Sequence, residues 1–194
     1  YGGIFISDEV QTGFGRTGGK MFAIEHFGVE PEVITMAKAL GNGMPIGATV
    51  ATPEVADSIQ GFSVSTYGGN PVSTETARAV LDVIIGEDLV KNAEDVGTYI
   101  RQRLNEMKER FSVIGDVRGM GLMQGMELVE NGKEPAPHIV NQIFEETRKR
   151  GLLIGKGGTH GNFIRVTPPL NVSQSDAEAG MNIFEESFQA IAKI

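Results

Sequence analysis

A chain of 194 residues can bury a sizeable core and is long enough for one domain or one and a half. Hydrophobic residues make up 40% and charged residues 22%, which excludes a disordered polar chain; a formal net charge of −8, with no Lys/Arg cluster among aromatics, argues against nucleic acid and anionic membrane as partners. Cysteine is absent, so disulfides and thiolate metal sites are excluded, and His26, His138 and His160 have no ligand spacing, so no metal is expected.

Tyr1 runs almost directly into the apolar segment "GIFIS", and a chain that begins at the threshold of a strand is expected to be cut from a longer one. Ile4 to Ser7 has the pattern of a short buried strand ending at Asp8-Glu9, and "VITMA" (Val33 to Ala37) and "GATVAT" (Gly47 to Thr52) predict two more. A helix follows "GGNPVS", with Ala77, Val80, Leu81 and Ile84 on one face. A longer helix places Leu89, Ala93, Val96, Ile100, Leu104, Met107 and Phe111 at steps of three and four. Short apolar strands alternating with helices predict an α/β unit with a largely parallel sheet.

The texture changes after Arg110. "VIGDVRG" and the alternating Leu122, Gln124, Met126 and Leu128 predict two strands, and a helix from about Pro137 to Arg150 ends at Gly151. "FIRV" (Phe163 to Val166) is a further strand, stopped by Pro168-Pro169. The last helix opens with the capping box Ser175-x-x-Glu178 and buries Ala177, Met181, Phe184, Phe188 and Ile191. This tail is expected to be a small α+β domain, with the boundary placed so that residues 1–86 and 87–194 form the two domains. No stretch approaches the ~20 apolar residues of a membrane span.

Glycine stands out at 26 residues, well above the roughly 7% of average usage. "GFGRTG" (Gly13 to Gly18) fits the dinucleotide-binding pattern, but "DEVQT" separates it from the strand and Gly18-Gly19 is a poor helix start, so the match lacks its context. Asp8 and Lys38 are better candidates. Asp8 ends a strand, where open α/β sheets place ligand groups, and Lys38 follows a strand and precedes Gly41, Gly43 and Gly47. An amine among apolar neighbours is disfavoured as a cation, which helps it attack a carbonyl. A carboxylate facing a pyridine nitrogen keeps that ring protonated as an electron sink. Taken singly, either residue reads more simply as a strand-end cap or a surface amine.

"SDEVQTGFGRTG", then "ITMAKALGNGMPIGA", then "STYGGNP", with "DVRGMGLMQGMEL" and "IRVTPPL" beyond them, closely resembles the class III (ω-amino-acid) aminotransferases. The resemblance implies an α/β, fold-type I transferase dependent on pyridoxal 5′-phosphate: part of a mainly parallel-sheet large domain, plus a small C-terminal α+β domain. It implies Lys38 as the Schiff-base lysine and proton-transfer base, Asp8 as the partner of the pyridinium nitrogen, and Gln11 as a hydrogen-bonding partner of the ring hydroxyl. Ser65 and Thr66 would bind the phosphate of a neighbouring subunit, as in a homodimer or higher homo-oligomer. Arg165 would grip the carboxylate of an amino acid or keto acid, while Arg16 and Arg118 are read as structural; no role is assigned to His160. The same resemblance admits an aminomutase of this fold, and the chain alone could instead be a non-catalytic piece that keeps the fold. The wording is nearest to alanine–glyoxylate and 4-aminobutyrate enzymes.

Overall fold

The computed structural model describes residues 2–191. The chain divides after Lys91 into two compact units, each with its own sheet. In the first, β1 (Ile6–Asp8), β2 (Val33–Met36) and β3 (Ala48–Ala51) lie side by side in that order. β1 and β2 are parallel, with Ile6 opposite Val33 and Asp8 opposite Thr35. β3 runs antiparallel to β2, Met36 facing Ala48, because the connection between them turns straight back without a crossover helix. The expected parallel pairing therefore holds for β1 and β2, and the sheet is mixed.

The strand expected at Ile4 to Ser7 is shifted to Ile6–Asp8, and only Ser7 of it is buried. Ile4, Phe5 and Ile6 are exposed in this chain, against the buried pattern that their run of apolar side chains led us to expect. The short α1 (Pro53–Asp57) precedes α2 (Pro71–Gly86), which starts where its sequence says it should. Pro71 occupies the first helical position and the Asn70 side chain accepts from the Ser73 amide at 3.0 Å. Ser73, Ala77 and Ile84 form its buried stripe. The glycine run from Gly13 to Gly18 is a succession of turns that opens no helix, so the dinucleotide pattern has no structural counterpart.

The second unit takes in most of α3 (Leu89–Arg110) and continues through β4 (Ile114–Met120), β5 (Met123–Glu130), β6 (Glu134–Pro135), α4 (Pro137–Lys149), β7 (Gly155–Gly157), β8 (Phe163–Val166) and α5 (Gln174–Ile191). The sheet order is β4-β5-β8-β7, antiparallel throughout, with β6 paired to β5. Its core is the one that the helical spacing predicts: Ala93, Val96, Ile100, Leu104 and Met107 of α3 are all buried. They meet Met126, Leu128 and Ile164 of the sheet, Val140 and Ile143 of α4, and Met181, Phe184 and Phe188 of α5. Each of these side chains larger than that of Ala93 contributes about 1.5–3 kcal/mol by leaving water. Glu185 ties α5 to α3 through Arg110 at 2.6 Å and Arg103 at 3.0 Å.

α5 is capped two residues earlier than the capping box predicts. The Ser173 hydroxyl, not Ser175, accepts from a backbone amide, that of Asp176 at 3.0 Å, because Pro168-Pro169 and a turn at Val172 bring the chain in early. β6 and β7 have no counterpart in the sequence reading.

Candidate active site

Asp8 and Lys38 emerge at the same edge of the first sheet. β1 and β2 are parallel and Asp8 is in register with Thr35, so the C-terminal ends of both strands open on one side, where open α/β sheets bind ligands. Asp8 is exposed. One carboxylate oxygen, Oδ1, accepts from the Val10 amide at 3.1 Å and the Thr35 hydroxyl at 3.4 Å, which orients the group; Oδ2 has no partner among the described residues.

Lys38 opens a single 3-10 turn (Lys38–Leu40) immediately beyond β2, with a backbone φ of +42°. A side-chain-bearing residue enters this left-handed region only at a cost, and such strain collects at functional positions. The turn is wound tightly: the amides of Gly41 and Asn42 both donate to the Lys38 carbonyl at 3.1 Å. Gly41 is obligatory, since a Cβ there would lie 2.1 Å from the Met44 carbonyl oxygen. The apolar surroundings expected for Lys38 are not found in this chain. Its side chain is exposed, and its amine has no hydrogen bond or ion pair among the described residues.

Gln11 is exposed on the loop that leaves β1, and the residue fixing that loop is one that the sequence reading passed over. Glu9 is only 2% exposed, yet charged. Its Oε1 accepts from the Ser7 hydroxyl (3.2 Å) and the Ile24 amide (2.8 Å), and its Oε2 from the Thr12 hydroxyl (2.5 Å) and the Ala23 amide (3.1 Å). Burial alone would raise the pKa of this carboxyl, but the four donors outweigh it and hold the group below the usual carboxylate range. A signal for it was present: at period two, Glu9 shares a side with Ser7 and opposes Asp8.

Ser65 and Thr66 lie on the turn before α2, closed by the Gly68 amide donating to the Ser65 carbonyl at 3.2 Å. Both are exposed, and no hydrogen bond joins them to Asp8, Gln11 or Lys38 among the described residues. Gly68 packs on the Ser65 side chain so closely that a Cβ there would sit 2.9 Å from its Oγ.

Arg165 belongs to the second unit. Arg118 of β4 and Arg165 of β8 both pair with Gly125 of β5, so the three stand in one row on one face of the sheet. Arg118 is committed: it bonds Asp116 at 2.6 Å and Glu127 at 3.3 Å and stacks 4.7 Å above the Phe163 ring. Arg165 has no partner among the described residues. Ile164, fully buried, anchors the strand from the other face, as the alternation predicts. The Arg165 stem passes over Gly155 and Gly157 of β7, where any Cβ would come within 3.4 Å of it. The same unit holds a cavity of about 330 Å³ lined by Leu152, Ile154, Pro169, Met181 and Phe184, with Arg165 in its wall. Its lining is too apolar to receive a phosphate. His160 is exposed beside Arg118 and Glu127. Among the described residues no group of side chains could hold a metal ion.

A strand-end carboxylate beside a lysine on a glycine-lined turn, in an α/β unit followed by a small antiparallel domain, is the framework of the fold-type I pyridoxal-phosphate enzymes. Within that class the chain belongs to the class III aminotransferases: the family described as "Aminotransferase class-III" matches residues 1–188. Members of this family depend on pyridoxal 5′-phosphate. The chain is 48% identical over 180 residues to alanine–glyoxylate aminotransferase 2 homolog 2, mitochondrial, of Arabidopsis thaliana, covering 91% of this chain and 38% of that protein. It is 42% identical over 189 residues to an alanine/serine racemase of Pyrococcus horikoshii, covering 97% of this chain and 40% of the racemase. Among solved structures, a phospholyase from Arthrobacter in complex with phosphoethanolamine superimposes with a TM-score of 0.93 at 41% identity, over 97% of this chain and 46% of that one. The chain thus spans less than half the length of these relatives. No described helix is long and apolar enough to cross a membrane.

Proposed function

We propose that the full-length protein carrying this chain moves an amino group from an amino acid, α or ω, to a keto acid, with Lys38 holding pyridoxal phosphate as a Schiff base. The observation that carries this reading is the placement of Lys38 and Asp8 after the C-terminal ends of parallel neighbouring strands: an exposed, unpartnered amine on a strained turn, and a carboxylate that keeps one oxygen free. The donor set fits the cofactor. A primary amine is what an aldehyde needs, and a fixed carboxylate is what a pyridinium nitrogen needs. When bound, the cofactor supplies an electron sink for the charge left on the substrate when a bond to Cα is broken.

The chain's own residues do the rest. Lys38 Nζ would hold the cofactor aldehyde and, once released by the substrate amine, would serve as the base that moves the proton of the substrate Cα. Asp8, oriented through Oδ1, would hold the ring nitrogen, and Gln11 would hydrogen-bond the ring hydroxyl. Arg165, unpaired and held on a rigid strand, takes the substrate carboxylate in two parallel hydrogen bonds. Ser65 and Thr66 supply hydroxyls to the phosphate in the site of a second subunit, so the working unit is at least a homodimer. Ile59, Phe62, Val64 and Tyr67, exposed on the same segment, support a contact there. Residues 1–86 form the end of the cofactor-binding domain in this reading, and residues 87–194 the small domain.

The racemase among the relatives gives a second reading some weight, since the same lysine could return the proton to Cα. Incubating the full-length protein and cofactor with L-alanine, with and without glyoxylate, separates them. Amino transfer predicts glycine and pyruvate only when glyoxylate is present. D-alanine without any keto acid would make it a racemase, and no turnover of alanine or any ω-amino acid would leave the fold without this activity.

A further inference from the structure

We infer that Glu9 is a positioning residue, whose carboxylate holds Asp8 and Gln11 in place toward the cofactor ring; the inference rests on the proposed function. Glu9 is held at every point. Its amide donates to the Thr35 carbonyl of β2 at 2.9 Å, its own carbonyl accepts from Gly13 at 3.0 Å, and each carboxylate oxygen accepts two hydrogen bonds. Together these close two rings. The small one runs from Glu9 to Thr12 and Gly13 and has Gln11 inside it. The large one runs from Glu9 to Ala23 and Ile24 and fixes the return of the whole loop. Asp8 is adjacent to Glu9, and the amide of Val10, which orients Asp8, lies within the small ring.

The loop packs closely on Glu9. A Cβ at Gly13 would lie 2.9 Å from the Glu9 carbonyl oxygen and 3.2 Å from the Phe22 ring, so the loop is closed tightly on Glu9 at this point. A buried carboxylate is costly to keep, and one with all four acceptor sites used is kept for the geometry that it imposes. Neither the resemblance nor the strand-end position of Asp8 assigns Glu9 a task.

The test uses the full-length protein and three variants: Glu9→Gln, Glu9→Asp and, for comparison, Asp8→Asn. A glutamine at this position must turn its NH2 toward either the Ala23 or the Ile24 amide, which then loses its acceptor. Three readouts are taken: amide hydrogen exchange along the chain, the dissociation constant for pyridoxal phosphate, and the pH titration of the Schiff-base absorbance. Glu9→Gln is expected to exchange about tenfold faster in residues 9–24 alone and to bind the cofactor about tenfold more weakly. Its titration midpoint should move in the same direction as that of Asp8→Asn. Should Glu9→Gln not fold, Glu9→Asp, which keeps the charge but draws it back by one methylene, is expected to show the same shifts in smaller measure.

Parent-like cofactor affinity and titration in a variant with faster exchange would overturn the inference. So would loss of protection spread evenly over the first unit, which marks a purely structural residue. If the parent forms no linkage at Lys38 that borohydride can fix, the proposed function falls and takes this inference with it; a parent that does so beside an unaffected Glu9 variant removes this inference alone.

Discussion

Two arginines flank Gly125 on one face of the second sheet, and their surroundings assign them different work. Arg118 spends Nη1 on Asp116 and Glu127 and lays its flat face on Phe163, which holds it in place on the sheet. Arg165, equally charged and two strands across the sheet, has none of these partners. Replacing Arg165 by Lys keeps the charge but loses the planar fork that matches a carboxylate. In the full-length protein the KM for amino and keto acids is expected to rise by about a hundred-fold, while amines without a carboxylate are affected far less and bound cofactor is retained. Steady-state kinetics with both kinds of amine checks this; equal damage to both would make Arg165 a structural residue. The sequence alone places both arginines in motifs, and the register puts them in one row; the acidic neighbours Asp116 and Glu127 distinguish Arg118 from Arg165.

At the scale of elements, glycines separate two effects that oppose each other. Within a helix, alanine is favoured over glycine by roughly 0.5–1 kcal/mol because it loses less backbone freedom on folding. Gly180 in α5 has room for the change, since a Cβ there would meet only the Leu152 side chain at 3.8 Å. Gly97 in α3 does not: a Cβ would lie 2.3 Å from the carbonyl carbon of Gly121 at the β4–β5 turn, and backbone cannot step aside as a side chain can. Gly180→Ala should therefore raise the melting temperature slightly, and Gly97→Ala should lower it, by about 1–3 kcal/mol of stability or more. Calorimetry on the two variants checks the pair, and a stabilised Gly97→Ala would show that helix and turn do not pack as described. Such contacts cannot be read from sequence, where both glycines look alike.

Elements governed by a long periodic pattern were legible. α3 buries the residues that steps of three and four select, and β5 turns Gln124, Met126 and Leu128 inward as alternation predicts. What escaped was set by short-range competition or by partners far along the chain. Ser173 and Ser175 are equally good caps in isolation, and the approach of the chain chose the first. β7, "GKG", has no apolar signature at all; it is a strand because β8 lies beside it. The likeness of motifs pointed to Asp8 and Lys38, and the parallel register of β1 and β2 supplies a physical reason for their lying at one edge. Glu9 was passed over because a charged residue beside a stronger candidate reads as surface.

For the whole molecule, the segment bearing Ser65 and Thr66 also presents Phe62, 96% exposed, and Tyr67, 82% exposed. A proposal that this segment completes a neighbouring subunit's site has a direct consequence. Lys38→Ala and Thr66→Ala subunits, each inactive as homodimers, are mixed and allowed to exchange. Half of the dimers then become mixed, and each mixed dimer has one site with both defects and one with neither, so roughly a quarter of parental activity should return. No recovery despite proven exchange would put Thr66 in its own subunit's site.

The central claim is that Lys38 carries the cofactor, and borohydride reduction of the full-length protein loaded with pyridoxal phosphate tests it most directly. The reduced protein is digested and the modified peptide sequenced, with Lys38→Ala alongside. A single phosphopyridoxyl group is expected, on Lys38, with neither label nor visible absorbance in the variant. A label on any other lysine, or a Lys38→Ala protein that still transfers amino groups at the parental rate, would contradict it.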